Sequence, residues 1–138
     1  MTAKEYLNQL RDKRHIIQAE QAKLEELERV KYDIKAVTYN VGNKSSDITD
    51  TVADTVARID AIQRRIQKQI QEYLDLFEKV TKQIDEIEKP AYREILILRY
   101  VKGIKWEEIN YYSQQHSRRL NTAALAQFTA LHPEIEKL

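Results

Sequence analysis

Between residues 52 and 87 the chain repeats apolar side chains in alternating steps of four and three. The series is Val52, Val56, Ile59, Gln63, Ile66, Ile70, Tyr73, Phe77, Val80, Ile84 and Ile87, with Gln63 its one polar member. A 3.5-residue repeat held over about five heptads marks a helix whose apolar stripe stays buried only against another helix. No other feature of the sequence restricts the fold as much. Gln63 either fixes the register of that packing or faces solvent.

The preceding segment supplies a partner. Thr2-Ala-Lys-Glu5 has the spacing of a capping box, in which a hydroxyl and a carboxylate satisfy the first free amides of a helix. A helical pattern follows to about residue 38, with Leu10, Ile17 and Leu24 at heptad spacing. Leu27 and Ile34 continue the stripe, and Ile16, Val30 and Val37 broaden it. Residues 39–50 hold the turn formers Asn40, Gly42, Asn43, Ser45 and Ser46. Two long amphipathic helices joined by a polar loop predict an antiparallel hairpin over residues 1–89. Its apolar face widens around Tyr73, Leu74, Leu76 and Phe77, more than one partner helix covers. The expectation is that the C-terminal residues dock there, or that a second copy does, making a homo-oligomer through the arm.

Composition sharpens the class. Two glycines and two prolines in 138 residues leave little room for turn-rich β structure, so the predicted fold class is all-α. The absence of cysteine excludes disulfides and thiolate zinc sites. His15, His116 and His132 have no metal-ligand spacing, and Asp85, Glu86 and Glu88 read as a solvated helix face. No phosphate-cradling glycine loop or nucleophile elbow is present, so neither catalysis nor a cofactor is expected. No apolar run has signal-peptide length or nears the ~20 residues of a membrane helix. The expected location is the cytoplasm, with no membrane partner.

Residues 90–138 read as a separate small module. Pro90 suits a first helical turn, and Ile95, Leu98 and Val101 fall on one face before Gly103 stops the helix. Trp106-Glu-Glu-Ile109 predicts a short helix burying Trp106 and Ile109. Ser113 is a good N-cap for a third helix through Leu120, Leu125 and Phe128, ending before Pro133 and a polar tail. Residues 90–127 carry six basic side chains (Arg93, Arg99, Lys102, Lys105, Arg118, Arg119) against three acidic ones (Glu94, Glu107, Glu108), a net of +3. That excess is consistent with contact to phosphates and equally with a solvated helix face.

The run REILILRYVKGIKWEEI, followed by YSQQHSRRLNTAALAQF, resembles the helix-turn-helix of region 4 in primary sigma factors. With the opening MTAKEYL, it looks more closely like a family of small phage and prophage proteins of Gram-positive bacteria. That family joins a helical hairpin to a sigma-region-4-like module and is related to late-gene and autolysin transcription regulators. The resemblance implies a DNA-binding transcriptional regulator in the cytoplasm of a bacterial host, with double-stranded DNA as partner and RNA polymerase as a second one. It further implies that Gln114, Gln115, His116, Ser117, Arg118 and Arg119 face the major groove. Gln suits adenine, and Arg suits guanine or phosphate. Lys102 and Lys105 would then sit on flanking phosphates.

The chain departs from that pattern by about three residues, nearly one helical turn, between Ile109 and Ser113. The first helix of the motif is then truncated, or the turn is rebuilt around Tyr111 and Tyr112, or residues 106–131 form one helix. Lys105 also stands where the family prefers a Ser or Thr cap. The alternative reading is a helical interaction protein without a DNA role, whose hairpin binds a protein partner.

Overall fold

The computed structural model describes residues 1–41, 46–109 and 112–138, and among these it is all-α. Helix α1 runs from Ala3 to Val41 and α2 from Ser46 to Asp85. Helix α3 spans Pro90–Leu96 and continues as a π-helical segment, Ile97–Val101. A single 3-10 turn, Trp106–Glu108, precedes α4, Gln114–Leu131, and a second 3-10 turn, Pro133–Lys137, follows it. The long helices extend further than their apolar periodicity does, so residues 39–41 and 46–50, expected in a loop, are helical. The expected turn formers Gly42, Asn43 and Ser45 lie outside the described residues.

The chain divides into two compact units, residues 15–71 and residues 1–14 with 72–138. The core of the second unit runs straight across the boundary expected between residues 89 and 90. In the 15–71 unit, α1 and α2 pair through Ile59, Ile62 and Ile66, with Thr55 and Glu20 also buried. Thr55 tolerates burial because its hydroxyl donates to the Thr51 carbonyl at 2.8 Å. Glu20 accepts from Arg65 at 3.0 Å, with Lys23 at 3.4 Å. Burial alone would raise the Glu20 carboxyl; the two cations outweigh it and hold the carboxyl below the ordinary glutamate range.

Helix α2 does not bury the stripe that its hydrophobicity picks out. Ile59, Ile66, Tyr73, Val80 and Ile87 face inward as expected, but the row beside them is Thr55, Ile62, Gln69, Leu76 and Gln83. Of the expected row Val56, Gln63, Ile70, Phe77 and Ile84, Ile84 alone is buried, and Gln63 faces solvent. The more apolar of the two rows is therefore the one left largely uncovered.

The other unit holds the main core. The first turns of α1 (Ala3, Tyr6, Leu7, Leu10) and the end of α2 (Val80, Ile84, Ile87) close around Ile95, Leu96, Tyr100, Val101, Ile109, Ala124, Phe128 and Ile135. Antiparallel pairing is explicit here: Tyr6 donates to Gln83 Oε1 at 2.8 Å, and Lys13 lies 3.9 Å from Glu72. Burial pushes the Tyr6 phenol above its ordinary range. The α1 cap forms as expected, with the Glu5 amide donating to Thr2 Oγ1 at 3.1 Å. At the α2 terminus Arg93 donates to the Ile87 carbonyl at 2.7 Å, closing the turn into α3.

Helix α3 buries Ile95 and Val101 as expected, with Leu98 half-buried against the core, and adds Leu96 and Tyr100 to that face. In the π-helical segment the Lys102 amide donates to the Ile97 carbonyl, five residues back, at 2.8 Å. Positions five apart then share a face, so Ile95 with Tyr100 and Leu96 with Val101 point inward while Leu98 is half-buried. Gly103 ends the segment at φ 72°, letting the Ile104 amide return to the Leu98 carbonyl at 2.9 Å. The C-terminal tail is likewise not wholly polar: Ile135 enters the core from the last 3-10 turn.

Candidate nucleic-acid interface

The shortened connection resolves by truncation. Trp106–Glu108 forms one 3-10 turn, and Ile109 is extended at φ −82° and ψ 101°, so residues 106–131 are not one helix. Ile109 is buried, whereas Trp106 is half-buried beneath the Arg99 guanidinium, 4.8 Å from the ring centre. Asn110 and Tyr111 fall outside the described residues. Tyr112 is half-buried and sets its ring edge-on to His116 at 4.9 Å, the turn packing expected of it.

Helix α4 starts where the sequence predicts. Ser113 Oγ accepts from the His116 amide at 3.2 Å, and Ser113 O accepts from the Ser117 amide at 2.9 Å. Leu120, Ala124, Leu125 and Phe128 fix its inner side in the core. Gln114, Gln115, Arg118, Arg119 and Thr122 fall within an arc of roughly 140° on a helix of 3.6 residues per turn. These five line one shallow, open depression. The side chains of Gln114, Gln115, Arg118 and Arg119 are exposed and have no ion-pair or hydrogen-bond partner among the described residues. A surface of amides and guanidiniums on one helix face is suited to base edges and phosphates.

One expected contact residue is not on that face. Ser117 is fully buried, because it opens the inward stripe that Ala124 continues at heptad spacing. Its hydroxyl has no hydrogen-bond partner among the described residues. Burial raises the Tyr100 phenol above its ordinary range. His116 is exposed beside Tyr112, and Lys102 and Lys105 are exposed on the turn after the π-helical segment.

Two further cations flank this turn, Arg99 from the basic excess of residues 90–127 and Arg14, which the sequence did not single out. Arg14 of α1 donates to the Val101 carbonyl at 3.0 Å, and Arg99 donates to the Ile104 carbonyl at 3.1 Å. Arg14 had no signal, since it lies 87 residues from its acceptor. His132, one of the three histidines without metal-ligand spacing, is a packing residue. It is buried against Phe128, with Nε2 3.1 Å from Glu86 and Nδ1 3.4 Å from Glu134. Among the described residues there is no group of three or more potential ligands suited to a metal ion. None of the described helices is long and apolar enough to cross a membrane. No protein family, curated protein or solved structure matches the chain.

Proposed function

We propose that the protein is a DNA-binding transcriptional regulator that reads the major groove with the first two turns of α4. The observation that carries this is the unpaired strip Gln114, Gln115, Arg118 and Arg119, presented by a helix whose other side is locked in the core. The backbone that carries them is already ordered, so binding has to order the side chains alone, and their chemistry matches base edges and phosphates. The truncation of the preceding helix leaves α4 its own cap and its own core contacts, so presentation of the strip does not depend on a full-length first helix.

The test is fluorescence anisotropy with a labelled random-sequence duplex over a range of salt. Binding that weakens steeply as salt rises is expected, since phosphate contacts release counterions. Arg118→Ala with Arg119→Ala should abolish detectable binding, while Gln114→Ala with Gln115→Ala should flatten sequence preference in a selection experiment. Salt-insensitive affinity, or full affinity in the arginine variant, would sink the assignment.

A second reading is favoured by the uncovered row of α2. Within the 15–71 unit Val56 and Ile70 are 45% and 37% exposed; within the other unit Leu74 and Phe77 are 50% and 37% exposed. Neither α1 nor the C-terminal elements cover Leu74 and Phe77, the residues expected to need a partner. We infer that α2 self-associates or binds another helix through this row. Analytical ultracentrifugation of Leu74→Lys with Phe77→Lys tests self-association: a parent that sediments as an oligomer and a variant that sediments as a monomer are expected. A monomeric parent at high protein concentration would remove it.

A further inference from the structure

Four cations lie on or against one turn of the core unit. Lys102 and Lys105 belong to the stretch between the π-helical segment and the Trp106 turn, and both are exposed. Arg14 and Arg99 bracket the same stretch by hydrogen bonds to the Val101 and Ile104 carbonyls. Each guanidinium has five N–H donors and makes one hydrogen bond here, so most of its donor capacity stays open.

Gly103 makes the arrangement feasible in two ways. Its φ of 72° is a conformation that side chains disfavour, and a Cβ at this position would lie 2.8 Å from Arg14 Nη2. The missing side chain is what allows the α1 guanidinium to lie across the turn.

None of the four is ion-paired with a described residue, although elsewhere in the same unit Lys13 pairs with Glu72 and Lys82 with Glu78. Glu107 and Glu108 follow on the next turn, exposed, and neither bridges to them. Repulsion among four unneutralised cations opposes folding, and a polyanion would relieve it. The turn that carries Trp106 packs directly against α4, the helix proposed to enter the groove.

We propose that Arg14, Arg99, Lys102 and Lys105 form a phosphate clamp that grips the DNA backbone beside the groove read by α4. The clamp rests on the DNA-binding reading of α4. Arg14 and Arg99 are held in place before binding by their carbonyl contacts, and Lys102 and Lys105 add mobile point charges. Such contacts position the protein and raise affinity for every sequence alike.

The experiment is the same anisotropy titration, read as the slope of log affinity against log salt for the full chain and its variants. Lys102→Gln with Lys105→Gln touches exposed side chains and should keep the fold, confirmed by an unchanged melting curve. Loss of two phosphate contacts should lower the slope by about two and weaken binding to all duplexes equally. Arg14→Gln should lower it by about one more, and Arg14→Lys, which keeps the charge, should restore it. Unchanged slopes in the lysine and Arg14 variants, with binding lost in the Arg118/Arg119 variant, would overturn the clamp and leave the α4 reading intact. Lowered slopes with full binding in the Arg118/Arg119 variant would support the clamp and remove the α4 reading. A parent protein with no salt-sensitive duplex binding would remove both.

Discussion

The two compact units bury apolar surface to very different depths. Residues 15–71 form two helices with a single seam, in which Ile59, Ile62 and Ile66 are buried while Ile16, Val37 and Val56 stay exposed. Residues 1–14 and 72–138 surround a core in which Leu7, Leu10, Val80, Ile84, Ile87, Leu96 and Phe128 are wholly excluded from solvent. A helix pair has one interface per helix, whereas several short elements can enclose a side chain from all directions. Cooperative stability should therefore reside in the second unit, with the first held by periodicity and a few polar contacts.

The largest expected effect separates the units directly. Phe128→Ala should cost about 3–5 kcal/mol, because a fully enclosed ring leaves a cavity that the packed elements cannot collapse. Ile62→Ala, on a seam open along its edges, should cost less, about 2 kcal/mol or under. Urea unfolding followed by circular dichroism measures both. Equal costs would break the comparison.

Backbone geometry gives a second contrast. Gly103→Ala forces a side chain into the left-handed region and against Arg14, so about 1–2 kcal/mol should be lost. Nothing in the 15–71 unit requires positive φ among the described residues. An alanine-to-glycine change at exposed Ala61 should cost no more than about 1 kcal/mol, the entropy of one helical glycine. A Gly103→Ala protein as stable as the parent would show that the turn can relax without the glycine.

Glu20 sharpens the comparison through pH. Its carboxyl is held below the ordinary range, so its contribution is present above the unfolded value and is lost as pH falls through the folded one. Acidification from about pH 6 to about pH 3 should loosen the 15–71 helices before the other unit. Residue-resolved NMR reports the order, and Glu20→Gln should shift the loosening to higher pH. Simultaneous loss of both units would show that the Glu20 pairing does not set the stability of the seam.

These contrasts also explain what was legible in the sequence. Long-period signals survive into the fold: two helices, their antiparallel pairing, the Thr2 cap and the Ser113 cap all follow from spacing and local chemistry. Choosing between two adjacent heptad rows on α2 was beyond hydrophobicity. Thr55 and Gln83 enter the interior because each finds a hydrogen bond there, an option that a hydropathy pattern cannot register. The π-helical segment was hidden for a similar reason, since it brings Leu96 and Tyr100 into the core beside the expected Ile95 and Val101 without any composition change. On α4, the cap at Ser113 fixed the helix start, whereas Gln114, Gln115, Arg118 and Arg119 were singled out by the resemblance to sigma region 4 and are exposed. Ser117 came with the same run by resemblance, but it is fully buried. Arg14 was invisible because its partner is brought close by the fold alone.

Ser117→Ala is the smallest effect and the most discriminating between the expected and observed roles of this residue. A base-contacting serine would lose affinity on removal of its hydroxyl, while stability would stay the same. The buried hydroxyl has no partner among the described residues, so its removal relieves desolvation without opening a methyl-sized void. Stability should rise by up to about 1 kcal/mol, and duplex affinity should not change. Ser117→Leu should destabilise instead, because a fully buried serine position has no room for three more carbons. A stabilised alanine variant with full affinity would place Ser117 in the packing of α4 rather than in its recognition surface. An alanine variant with lowered affinity and parental stability would return it to the groove-facing side and require α4 to turn on binding.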